Sequence, residues 1–158
     1  MTKWYILISM MCLGLFGQCR TNQVKKLGPV KSLEYRINDS WCIHPPVYFM
    51  LNHDEDGRYF LTNASNCEPE DARTMEVPAS VAEQVAQIVA EENMLSYKRD
   101  YQPIFDVLDG HSWSIYINFD KSDKSVYSSG YMAYPSGDGL KRIEQLCQET
   151  WNTLNPQP

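Results

Sequence analysis

The sequence predicts an α+β fold: an antiparallel sheet of four to five strands with two amphipathic helices packed on one face. Three observations carry this reading. Several short segments alternate apolar and polar residues with the period of two that a half-buried strand requires. Two longer segments repeat apolar residues at the spacing of a helix face. The order is strands, helix, strands, helix, and turns rather than long crossovers join neighbouring strands, which favours antiparallel pairing.

The elements follow in order. In SLEYRI (32–37), Leu33, Tyr35 and Ile37 alternate with polar residues. NDSWCIHPP is rich in turn formers and closes on Pro45 and Pro46. VYFML (47–51) and RYFLTN (58–63) are strands by composition, and HDEDG (53–57) between them makes a hairpin with a loop longer than two residues. ASNCEPEDART is expected as loop. In MEVPASVAEQVAQIVAEENML, Ser80 with Glu83 three positions later forms a capping box. Val81, Val85, Ile88, Val89 and Leu95 share one face of this helix, which is expected to end near Leu95. Asp109 and Gly110 supply a turn. SWSIYINF (112–119) then alternates strictly, with Trp113, Ile115, Ile117 and Phe119 on one side. DKSDKS turns the chain into SVYSSGYMAY (125–134), and residues 135–139 break the sheet. LKRIEQLCQETWNTL (140–154) is the second helix, with Leu140, Ile143, Cys147, Trp151 and Leu154 on one face.

Composition bounds the organisation and the partners. At 158 residues, 43% hydrophobic and 22% charged, the chain has the size and balance of one globular domain. A formal net charge of -6 disfavours nucleic acid, whose phosphates call for Lys and Arg, and disfavours attachment of the domain body to an anionic membrane surface. Near the start, Lys3 is followed by the apolar run WYILISMMCLGLF (4–16). That length suits the hydrophobic region of a signal peptide and falls short of the roughly 20 residues of a membrane span. Arg20, Lys25, Lys26 and Lys31 follow it, a positive flank that opposes export. The expected organisation is a signal peptide over 1–18, a flexible basic tether over 19–32, a single α+β domain over 33–154, and a disordered tail over 155–158.

LFGQC (15–19) resembles the lipobox of bacterial lipoproteins, in which an apolar residue and two further positions precede the Cys that becomes the lipidated N-terminus. The resemblance covers about five residues and implies lipidation of Cys19. Gln18 departs from the Gly, Ala or Ser usual before that Cys. The alternative is ordinary signal cleavage near Gly17. Cys12 is a poorer candidate, because Met11 precedes it and cleavage there would leave half the apolar run in place. A diacylated Cys19 would supply the two chains that stable anchoring needs.

An exported protein permits disulfides, and Cys42 and Cys67 flank the first hairpin on its two sides, which makes them the candidate pair. Cys147 lies on the apolar face of the last helix, as a buried thiol would. A metal site built on Cys42, His44 and Cys67 lacks a fourth ligand at a recognised spacing. NHDEDG (52–57) matches the first half of a calcium loop through Asn52, Asp54, Asp56 and Gly57, but position twelve is Asn63 rather than a bidentate Glu. Neither a metal nor a cofactor is therefore expected. Catalytic motifs are sparse: there is no HExxH, no GxSxG and no Gly-rich phosphate loop. Asp106 and Asp109 beside His111 are the one acid–base cluster, and turn formation is the competing role of both carboxylates.

A binding surface is the stronger candidate. If the turn at 120–125 pairs Phe119 with Val126, Tyr127 and Tyr131 fall on the same sheet face as Tyr116, interleaved with Ser112, Ser114, Asn118 and Ser129. The Trp113 face would then hold the helices. Tyr among Ser and Asn on an uncovered sheet makes a wet, adhesive recognition surface.

FDVLDGHSWSIYINF followed by SSGYMAYP and a closing amphipathic helix resembles a group of small uncharacterised bacterial exported domains with a "DG-SW" strand, an "SG–AYP" strand end and a helix. The resemblance covers residues 77–154. It implies the element order read above and a bacterial source, and it brings no catalytic residue. The expectation is an exported bacterial envelope protein, lipid-anchored at Cys19, that binds a protein or glycan without catalysis and does not bind nucleic acid. The alternatives are a freely secreted, disulfide-stabilised inhibitor or binding protein, and a small hydrolase using Asp106, Asp109 and His111.

Overall fold

The alternating segments all form strands, and two strands that alternation did not disclose join them. In a computed structural model, which describes residues 24, 26–39, 47–64, 72–105, 107 and 109–155, the strands are β1 (Val30–Asp39), β2 (Val47–His53), β3 (Tyr59–Ala64), β4 (Arg73–Val77), β5 (Asp100–Tyr101), β6 (His111–Phe119) and β7 (Ser122–Tyr131). They make one sheet in the order β4-β3-β2-β1-β6-β7-β5. All neighbours are antiparallel except β5 and β7, which run parallel. The class is α+β as expected. The antiparallel sheet of four to five strands is corrected to a mixed sheet of seven. β4 escaped the sequence because it is an edge strand in which only Met75 and Val77 are not exposed, inside a polar segment. β5 is two residues long, too short to show any period.

The helices are α1 (Ala79–Glu91) and α2 (Gly139–Leu154). α1 buries Val81, Ala82, Val85, Ala86, Ile88, Val89 and Ala90, and α2 buries Leu140, Ile143, Cys147 and Trp151. Both stripes share one core with Leu33, Tyr35, Phe49, Leu51, Leu61, Trp113, Ile115, Ile117 and Val126. These sheet residues fall on one face by the register: Leu33 lies opposite Leu51 and Ile117, and Tyr35 opposite Phe49 and Ile115. Arg142 of α2 fastens the helices together, donating to Glu91 and to Glu92, each at 2.7 Å.

Several boundaries move. The tether expected over 19–32 ends earlier, because Leu27 and Val30 are core residues and β1 starts at Val30. The capping box does not form: α1 starts at Ala79 after Pro78, and no side chain caps it. Proline forces the residue before it to be extended, so β4 runs to Val77 and the helix starts directly after the ring, leaving Ser80 inside the first turn. α1 also stops at Glu91 rather than near Leu95. Asn93 takes the left-handed conformation (φ 51°) and feeds a 3-10 turn, Met94–Ser96. Leu154, placed on the apolar face of α2, is exposed.

The hairpin of β6 and β7 turns at Asp120 and Lys121, so Phe119 pairs with Ser122, and Val126 lies opposite Ile117 rather than Phe119. The expected turn over 120–125 is thus two residues long. A shift of two positions leaves every side chain on the face assigned to it, since the strand period is two.

Trp113 explains a glycine. It pairs with Gly130 across the hairpin, and its indole N–H donates to the Ala133 carbonyl at 2.8 Å. A Cβ on residue 130 would lie 2.5 Å from that carbonyl oxygen and 2.6 Å from the indole nitrogen. Gly130→Ala is therefore expected to destabilise the fold by about 1–3 kcal/mol through overpacking. A lowered urea midpoint at unchanged m-value checks this; an unshifted midpoint would mean that the indole does not cross the strand so closely.

Candidate binding face

Both helices lie on one side of the sheet, and the other side carries the residues of opposite parity. Across its centre the register aligns Thr62, Met50, Glu34, Tyr116 and Tyr127 from β3 to β7. The next row aligns Ala64, Tyr48, Arg36, Ser114 and Ser129. Tyr116 and Tyr127 are directly opposite each other, with ring centroids 6.1 Å apart in an edge-to-face arrangement. They are 41% and 54% exposed, high for aromatics in mid-strand.

Two guanidinium groups flank this pair. Arg99 lies 5.2 Å from the centre of the Tyr127 ring, and Arg36 lies 4.8 Å from that of Tyr48 while pairing with Glu34. A cation held over an aromatic face favours the planar arrangement and keeps the ring ordered while still wet. Tyr131 shares the face but stands apart from the central pair. It is opposite Ser112, half-buried, and its hydroxyl points to the Val107 carbonyl at 3.5 Å. Asn118 donates to the Ser32 hydroxyl at 3.0 Å. Alternation in SLEYRI already set Glu34 and Arg36 on the polar side, so this part of the face was within reach of the sequence. Arg99 was not, because it reaches Tyr127 from the segment before β5.

The other sequence candidates fare differently. Asp106 lies outside the described residues, as do Cys12, Cys19, Cys42, His44 and Cys67. His111 meets the Tyr134 hydroxyl through Nε2, and Tyr134 in turn stacks on Trp113 with centroids 5.8 Å apart. The Tyr134 hydroxyl is raised above its usual pKa, first by burial and then by Glu144, and so remains protonated beside His111 at neutral pH. That arrangement gives His111 a place in the packing of the loop end of the sheet.

The calcium-loop residues Asp54 and Asp56 both face Arg58. Asp54 accepts from the Arg58 backbone N–H at 2.9 Å and from its Nε at 3.0 Å, and Gly57 takes positive φ (78°) in the turn. Partial burial works to raise the Asp54 pKa, but the Arg58 hydrogen bonds and charge outweigh it and hold the carboxyl below its ordinary value. Among the described residues no cluster of three or more His, Cys, Asp or Glu suits a metal. None of the described helices is long and apolar enough to cross a membrane.

The geometry defines the protein by class: an α+β domain whose two helices, α1 and α2, cover one face of the sheet, while Tyr116 and Tyr127 are exposed on the other. The chain matches no protein-family model and no curated protein.

Cys147 is fully buried in α2, and burial, with a smaller contribution from Glu144, pushes its thiol up to about 12. At pH 8 it is therefore protonated and a poor nucleophile. Iodoacetamide at that pH should leave the Cys147 peptide unmodified in the native protein and alkylate it fully in urea, as read by peptide mass mapping. Alkylation at equal rates in both states would contradict the burial.

Proposed function

We propose that the chain is an exported envelope protein, held to a membrane by lipid at Cys19, whose domain binds a protein or glycan partner through the open sheet face around Tyr116 and Tyr127. The observation that carries the binding reading is the placement of this tyrosine pair. It sits on two inner strands of a seven-stranded sheet, on the side opposite α1 and α2. Tyrosine offers a large, stiff contact area with a polar tip, and neighbouring Ser, Asn and Arg supply hydrogen bonds at the rim. The two guanidinium groups add directional donors suited to carboxylate or hydroxyl groups. The reading is one of binding because the face offers contact area and hydrogen-bond donors.

The anchoring reading draws on LFGQC and on the path of the chain. The Leu27 and Pro29 carbonyls accept the Lys121 and Asp120 backbone N–H groups at 3.2 and 3.0 Å. The segment before the domain thus arrives beside the β6–β7 turn. A lipid at Cys19 would hold this turn toward the membrane and leave the tyrosine pair facing sideways, open to a partner.

Two experiments test the two halves separately. After expression in a bacterium, the protein should partition into the detergent phase with a lipid mass that Cys19→Ser abolishes; an aqueous product cut near Gly17 would overturn the anchor. Tyr116→Ala/Tyr127→Ala should weaken capture of envelope proteins or glycans on an array by on the order of tenfold or more, typical of losing two central aromatic anchors. The far-UV spectrum should be unchanged, since both rings are solvent-facing. Capture at wild-type strength would remove this face from the proposal.

A further inference from the structure

β6 runs between β1 and β7, and near its C-terminal end both neighbours carry extra residues. Against β1 the register passes from Asn118–Ser32 to Phe119–Val30, leaving Lys31 with no partner on β6. Against β7 it passes from Asn118–Ser125 to Phe119–Ser122, leaving Asp123 and Lys124 unpaired. A bulge bends its strand and re-aims the side chains it releases. Here two bulges flank a single step of β6, and the residues they release line the same cleft, of about 410 Å³.

We propose that this double bulge builds a binding site for a phosphate-class oxyanion, with Lys31 and Lys124 as its two cations. Neither ammonium has a carboxylate partner among the described residues, whereas Arg36, Arg58 and Arg142 all do. Between the lysines the cleft presents the amides of Asn52 and Asn118 and the hydroxyls of Ser32 and Ser122. These are neutral donors of the kind that complete an oxyanion's hydrogen bonds. Two acidic groups stand near. Asp120 is turned to His53 Nε2 at 3.2 Å and the Tyr59 hydroxyl at 3.5 Å, which leaves Asp123 as the one carboxylate lining the cleft. His53 does not oppose an anion either. Its Nδ1 faces the Asp54 carbonyl at 3.0 Å and its Nε2 faces Asp120 at 3.2 Å, so both ring nitrogens are engaged with acceptors. The residues lining the cleft thus carry two ammonium groups and one carboxylate, with Asp120 behind His53, on a chain whose total is -6. At physiological salt each charge acts within roughly 8 Å, so the carboxylates that weigh against the two lysines are the near ones, Asp123 and Asp120, and not those elsewhere on the chain.

The same phosphate chemistry has two sources, a lipid headgroup and a free phosphate ester. The cleft lies at the β6–β7 turn where the N-terminal segment enters, so a protein anchored at Cys19 would present it to the bilayer. Only this headgroup source rests on the anchoring reading; the site itself does not.

The test follows the side-chain amide signals of Asn52 and Asn118 by NMR during titration with inorganic phosphate at constant ionic strength. Saturable shifts are expected in the wild type. Lys31→Ala/Lys124→Ala should weaken binding by on the order of tenfold or more. Lys31→Arg/Lys124→Arg should retain it, and so should Lys121→Ala, whose side chain is outside the cleft. Both lysines are exposed, so these variants keep the fold. Co-sedimentation of the Cys19→Ser protein with phosphatidylglycerol vesicles, against phosphatidylcholine, separates the sources. Vesicle binding that needs both lysines and is displaced by phosphate supports the site and gives the headgroup as source. Phosphate binding without vesicle binding supports the site and gives a soluble ester. Absence of saturable shifts with phosphate together with vesicle binding indifferent to both lysines would overturn the proposal, as would equal shifts in the double-alanine variant.

Discussion

The antiparallel ladder between β1 and β6 is the constraint on which the rest of the structure depends. It runs from Val30 opposite Phe119 to Asp39 opposite His111 and joins parts of the chain that are far apart in sequence. On one side of it lies the meander β1 to β4, built from neighbours; on the other lies the β6–β7 hairpin with β5. Without the ladder, each half would leave an apolar face too narrow to cover two helices. With it, Leu33, Tyr35, Ile115 and Ile117 form the centre of one core. Tyr35 also fixes the second layer. Its hydroxyl donates to Glu144 of α2 at 3.2 Å, and burial first, then the Glu144 charge, pushes its ionisation far above the usual value. The phenol therefore stays a neutral donor that sets where α2 lies on the sheet. Such a long-range pairing carries a larger loop-closure cost than the local hairpins on either side of it.

Most of the local structure was legible because it follows from patterns of period two and 3.6. β1 and β6 announce themselves by alternation, β2 and β3 by composition, β7 as the partner after a turn, and α1 and α2 by their apolar stripes. What escaped has physical reasons. β4 and β5 are edge strands, where one side of the ladder is open and burial selects little: Arg73, Thr74 and Glu76 are all exposed. The capping box failed because Pro78 imposed a start that the Ser80–Glu83 spacing could not outweigh. On the site, the phase of the alternation was enough to place Tyr116, Tyr127 and Tyr131 opposite the helices even though the pairing register was two residues off. The contribution of Arg99 could not be read in advance, since it depends on β5 folding back parallel to β7. The bulges could not be read either. Nothing in the order of Lys31 or Lys124 distinguishes a bulged lysine from an ordinary surface one.

The edges bear on how such a wide sheet resists pairing edge to edge. An open, apolar edge strand is a template for pairing with another chain. At one edge, β4 carries Arg73 and Glu76; at the other, β5 is only two residues long, beside Asp100 and Gln102 joined by side-chain hydrogen bonds. Both edges are thus short or charged, which leaves the exposed aromatics on the flat face. There the aromatics are held by cross-strand contact and by guanidinium groups instead of by burial.

The open face and the double bulge follow from the same ladder in opposite ways. Where pairing is regular, strict alternation sends one residue in two to the outer side and produces rows such as Glu34, Tyr116 and Tyr127. Where pairing breaks, at the step between Asn118 and Phe119, alternation loses its hold on the neighbours and charged side chains are released. A regular sheet can offer a broad surface, but its side chains stand parallel and do not converge on a small ligand. Convergence requires the strands to bend, and the two bulges supply bends from both sides of one strand. The fold therefore presents two kinds of surface along β6: a flat aromatic area at its middle and a polar cleft at its end.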